Sequence, residues 1–131
     1  MSFKKIYLLY ALLVMALLSS CKKEEKECHE KQTAYVTSVT APSNGKVFEN
    51  IPVTVYFKSL NSCGSFSRFM EEISGNKRLI EVEARYDGCT CSSATESLSQ
   101  TYTFQATQTG DYELRFKSSA SEEISVKISI N

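Results

Sequence analysis

Five cysteines and a single histidine are the residues of this 131-residue chain best suited to chemistry. Cys28, His29, Cys63, Cys89 and Cys91 together could offer thiolate and imidazole ligands to zinc. Structural zinc sites use paired C-x₂₋₄-C knuckles, whereas the one close spacing here is Cys89-Thr90-Cys91. A redox thiol needs a cation or a helix N-terminus beside it to lower its pKa, and neither is expected there. His29 lies in a polar stretch, and a general base must be held within reach of its substrate. Glu71 and Glu72 are adjacent and point apart on a strand. Glu81 and Glu83 share a face and could do acid–base work, but Arg85 on that face makes it read as exposed sheet surface. Ser65 and Ser67 have no ordered His to activate them, and the chain has no Gly-rich phosphate loop or nucleophile elbow. The expectation is a protein without enzyme activity, metal or cofactor.

The elements that position these residues alternate with period two. Val53, Val55 and Phe57 alternate with Thr54, Tyr56 and Lys58, and Ile80, Val82, Ala84 and Tyr86 with Glu81, Glu83 and Arg85. The same pattern recurs at Tyr102–Ala106, at Tyr112–Lys117 and at Ile124–Ile130. Each segment reads as a strand with one buried and one wet face. Further strands are expected at Ala34–Val39 and Phe66–Ile73, although Phe66, Phe69, Met70 and Ile73 also approach a helical spacing. Turns fall at Pro42–Gly45, Ser74–Asn76, Asp87-Gly88 and Thr109–Asp111. About seven short half-polar strands imply an all-β, two-sheet antiparallel sandwich over residues 33–131. Gln108-Thr109-Gly110-Asp111-Tyr112-Glu113-Leu114 resembles the tyrosine corner of immunoglobulin-like domains, with Tyr112 near the start of a strand. Leu114 stands where antibody domains carry their second Cys, and the chain has no Trp, so the resemblance is to bacterial immunoglobulin-like domains at large. That architecture hosts many functions.

The first 20 residues have a different logic. Lys4 and Lys5 precede an unbroken apolar run from Ile6 to Leu18, which would rise only about 20 Å as a helix, too short to span a bilayer. A basic start, a short apolar stretch and small residues before a break make a secretory signal peptide. Leu18-Ser19-Ser20-Cys21 resembles a bacterial lipobox. The resemblance implies that residues 1–20 are removed and Cys21 is acylated, anchoring the chain to a membrane through several acyl chains. Residues 21–32 then form a charged tether. Its Lys22-Lys23-Glu24-Glu25 resembles the export signal of Bacteroidetes-type surface lipoproteins, which implies the outer membrane and an outward-facing domain. The mature chain loses Lys4 and Lys5 from its 15 basic residues and keeps 13 against 15 acidic ones, a poor balance for binding nucleic acid.

With Cys21 acylated, Cys28, Cys63, Cys89 and Cys91 remain, an even number in an exported domain and so two disulfides. A Cys89–Cys91 bridge would strain its ring, leaving 28–89 with 63–91 or 28–91 with 63–89. Either pairing gathers two loops at one end of the sandwich. Ser62, Gly64, Ser65 and Phe66 in one loop, with Thr90 and Ser92 in the other, are the expected binding residues, pre-ordered by the bridges. The expected function is non-catalytic binding or scaffolding of an envelope protein partner. A surface glycan is the alternative, with the outward-pointing Tyr56 as its platform.

Overall fold

A computed structural model of the protein describes residues 28–131. The expected signal peptide, Cys21 and residues 22–27 of the expected tether lie outside the described residues. The described residues form nine strands in order: β1 (His29–Ala34), β2 (Val36–Thr40), β3 (Asn44–Gly45), β4 (Ile51–Lys58), β5 (Gly64–Ser74), β6 (Lys77–Asp87), β7 (Ser97–Phe104), β8 (Gly110–Lys117) and β9 (Glu123–Ile130). The larger sheet runs β1-β6-β8-β9-β3 with β5 on the other side of β6, and the smaller runs β2-β4-β7. The two sheets make the expected all-β sandwich. Most pairings are antiparallel, but β6 with β8 and β3 with β9 are parallel.

The alternating positions supply the core. Val53, Val55 and Phe57 from the smaller sheet meet Ile80, Val82, Ala84, Leu114, Phe116 and Ile128 from the larger, all essentially inaccessible to water. Tyr102 and Tyr112 add rings that pack edge-on against Phe116 and Phe104. The Tyr112 hydroxyl donates to the Gln108 carbonyl at 3.1 Å, so the tyrosine corner is present.

Four local readings change. The single strand expected at Ala34–Val39 is two strands in different sheets, since β1 pairs with β6 and β2 with β4. Tyr35 is the crossing point. Residues 29–32, expected in the tether, belong to β1 because β6 supplies a ladder from His29↔Asp87 to Ala34↔Val82. The near-helical spacing of Phe66 and Phe69 comes from a bulge between Phe66 and Arg68. The extra residue, Ser67, lets both rings face the interior three positions apart. Finally, Glu83 is only 9% exposed rather than on an open face, because β1 and β5 flank it on both sides.

At the end of the sandwich away from the cysteines, Arg78 occupies an inward position of β6 where an apolar residue would fit the pattern. Its guanidinium donates to Glu71 at 2.7 Å and to the Gln105 carbonyl at 2.9 Å, and it stacks 4.7 Å from the Phe104 ring centroid. Tyr102 donates its hydroxyl to the same Glu71 oxygen at 2.8 Å. Burial pushes the Tyr102 hydroxyl up to about 12. Between pH 10 and 12 the folded protein therefore holds a proton that the unfolded chain has released. Stability present below pH 10 should fall by roughly 2–3 kcal/mol across that window. Denaturant titrations at stepped alkaline pH test this, and Tyr102→Phe should flatten that part of the decline.

Candidate functional site

The cysteines converge at the C-terminal end of β6, and the sheet register explains how. β1 and β5 flank β6 on opposite sides. The Gly88 amide donates to the Cys28 carbonyl at 2.9 Å, carrying the β1 ladder one step further, and the Asp87 amide reaches the Cys63 carbonyl at 3.4 Å from the other side. Cys28 and Cys63 thus approach the Gly88 loop from two directions. Cys28 is bonded to Cys89 and Cys63 to Cys91, with Cα separations of 5.0 and 5.6 Å. Of the two pairings left open by the spacing, the chain adopts 28–89 with 63–91. Gly88 lies between them at φ 143°, a left-handed conformation, and a Cβ there would come within 3.0 Å of the Cys63 sulfur. Only glycine lets the bridge close over the backbone.

The two loops also grip each other directly. The Ser62 amide donates to the Ser92 carbonyl at 3.1 Å, and the Ser92 amide donates to the Ser62 hydroxyl at 3.0 Å. Asn61 turns its side chain back to accept from the Cys63 amide at 2.9 Å. The Tyr86 hydroxyl, at the core end of the site, accepts from the Leu60 amide at 3.0 Å. An open concavity of about 360 Å³ lies over these groups, lined by both Cys28 and Cys89 together with His29, Asn61, Tyr86 and Gly88. His29, expected as a solvated linker residue, has its Nδ1 2.8 Å from Asp87 Oδ1, although its side chain stays 66% exposed. Arg85 holds the other Asp87 oxygen at 2.9 Å.

Not all six expected binding residues belong to loops. Ser62, Thr90 and Ser92 do, and all three are exposed. Gly64, Ser65 and Phe66 lie in β5 instead. Phe66 turns inward against Phe57 and Phe69, so it supports the core rather than a surface. Gly64 is a packing position, since a Cβ would meet Tyr86 at 2.7 Å. Sequence spacing missed Asn61, whose contact with Cys63 is local, and the meeting of His29 with Asp87, which depends on the pairing of β1 with β6.

The carboxylates weighed for acid–base work are each matched to their own donors. Glu83 accepts from Ser67 at 3.0 Å and from Arg68 at 3.2 Å, with Lys31 at 3.5 Å. The Ser67 hydrogen bond, then the Arg68 contact, holds its carboxyl below the usual range, the opposite of what a proton donor needs. Glu81 takes Lys117 at 3.1 Å. Among the described residues, no group of three or more His, Cys, Asp or Glu side chains is arranged to hold a metal ion.

Residues 53–128, more than half of the chain, match the family model of the ORF11 beta-sandwich domain. The chain belongs to that family. The match runs from β4 into β9 and takes in Cys63, Cys89 and Cys91, while Cys28 and β1 precede it. No curated protein and no solved structure is significantly similar to the chain. The ORF11 sandwich assigns an architecture and leaves the chemistry to be argued from the site.

Proposed function

We propose that this ORF11 sandwich is a non-catalytic, lipid-anchored module of the cell envelope that binds or scaffolds a protein partner through its disulfide-stapled end. The observation that carries this reading is the gathering of the four described cysteines at one end of the sandwich, where Cys28, Cys89 and Cys91 line an open concavity and Ser62, Thr90 and Ser92 are exposed on the stapled loops. Loops fixed before binding lose little conformational freedom on docking, which favours recognition. Ser62, Thr90 and Ser92 give the loops a hydroxyl-rich surface. Cys28, the first described residue, also lies at this end, and six residues separate it from Cys21. Lys22–Glu27 reaches about 20 Å when extended, so an acylated Cys21 would hold the stapled end close to the membrane, where neighbouring envelope proteins lie.

Two measurements test the two halves of the proposal. Cys21→Ser should abolish metabolic acyl labelling and release the protein from the membrane fraction; label retained on the variant would defeat the anchor. Thr90→Arg, on an exposed loop, should reduce partner crosslinks on intact cells at least tenfold while leaving the urea midpoint unchanged. Undiminished crosslinking would defeat the stapled end as the binding surface. A glycan-binding reading draws on Tyr56, which is 40% exposed on the smaller sheet. Glycan-array binding that disappears in Tyr56→Ala would favour it.

A further inference from the structure

The smaller sheet ends on β7, which pairs with β4 along all eight residues and, among the described residues, with no strand on its other side. An open edge offers a row of unused amides and carbonyls, and folded proteins usually block such a row with charge, proline or a bulge. The other long edge, β5, carries a bulge at Ser67 and the charged residues Arg68, Glu71 and Glu72. β2 is five residues long and also bulged. β7, Ser97-Leu98-Ser99-Gln100-Thr101-Tyr102-Thr103-Phe104, has no charge, glycine, proline or bulge.

The sandwich is also unevenly covered beside this edge. Phe69, Glu71 and Ile73 share the inward side of β5, opposite Val82, Ile80 and Arg78. Phe69 packs on Tyr102 of β7, yet Ile73 is 60% exposed, because among the described residues no strand of the smaller sheet extends over β5 at that end. Leu98 and Phe66 are likewise only half-buried. We infer that β7 accepts an extended segment of a partner protein as a fourth strand of the smaller sheet, with apolar side chains at every second position covering Ile73, Phe69 and Leu98.

Main-chain hydrogen bonds would supply the affinity and the alternating side chains the selectivity. The chain's own Lys22–Glu27 is entirely polar and cannot cover this apolar strip. A second copy fits less well. Two-fold pairing of β7 is antiparallel and points the two Cys28 ends in opposite directions, along a strand about 27 Å long. With β7 upright on the membrane, the far copy's six-residue tether, reaching about 20 Å, does not span that length. This last argument rests on the lipid-anchor reading; the open edge and the bare Ile73 do not.

Amide hydrogen exchange on the purified full chain tests the inference. The probes are blocked ten-residue peptides alternating valine with threonine, compared with peptides of the same composition whose valines are contiguous. The alternating peptides should protect residues 97–104 saturably, and Ile73→Asp should weaken that protection about tenfold while exchange elsewhere stays as in the parent. Absence of protection at 97–104, equal protection by the contiguous peptides, or an undiminished effect in Ile73→Asp would overturn it. Protection that grows with protein concentration alone would also overturn it, by giving the edge to a second copy. Acyl labelling of Cys21 is read separately, so loss of the anchor and loss of strand binding remain distinguishable.

Discussion

Replacing Cys28 and Cys89 together by serine should lower the unfolding free energy by about 4 kcal/mol, and replacing Cys63 and Cys91 by about 3.5 kcal/mol. The bridges span 61 and 28 positions, and in the chain-entropy model the longer loop constrains the unfolded state more. For a domain whose net stability is on the order of 5–15 kcal/mol, either loss is a large fraction. The loops interleave, since Cys63 lies between Cys28 and Cys89. Each bridge therefore shortens the path that the other must close, so each loss is reduced while the other bridge stands, and removing all four cysteines should cost more than the sum of the two. Both partners of a bridge must be replaced at once, because a single leftover thiol beside the remaining bridge would allow exchange to the other pairing. Urea unfolding of the paired variants gives the answer directly. The slope should steepen as the unfolded chain expands, and the midpoint should fall. A loss below about 1 kcal/mol would mean that one bridge already restricts the unfolded chain as much as two.

The parts of this molecule that were legible in the sequence are those where side-chain alternation and burial coincide. Val53, Val55, Phe57, Ile80, Val82 and Phe116 are inward by period and buried in fact. The crossing at Tyr35 was not legible, because Ala34 and Val36 are both buried and look like successive inward positions of one strand. They point into the same core from different sheets. β1 begins with His-Glu-Lys-Gln, which has no alternation of its own, and becomes a strand through β6 and the Cys28 bridge. Nor does a residue pattern encode direction, so the parallel pairing of β6 with β8 could not be read from it. At the site, the clustering of four cysteines followed from their number and spacing. Their pairing depended on which sides of β6 are taken by β1 and β5, a property of sheet order rather than of local sequence.

Arg78→Ala should destabilise the protein by about 3–5 kcal/mol, the cost of stranding a partly buried charge. Arg78 follows the inward parity of Ile80, Val82 and Ala84, so its charge is set against the core and not in water. Removing it leaves the Glu71 carboxylate with the Tyr102 hydroxyl alone, frees the Gln105 carbonyl and uncovers the Phe104 ring. Yet the intact cluster is not an optimal one. The Arg78 Nε is buried without an acceptor, and desolvation opposes the charge that Glu71 and Tyr102 support. The pair Glu71→Leu with Arg78→Met, which replaces both charges by apolar groups, should therefore cost less than Arg78→Ala alone. A double-mutant cycle on Glu71 and Arg78, read by urea midpoint, separates the two effects. The cluster ties β5, β6 and β7 together through Glu71, Arg78 and Tyr102, next to the open β7 edge. If the apolar pair restores stability while amide exchange in β7 accelerates, the charges serve to fix β7 in place, and the net stability they add is small.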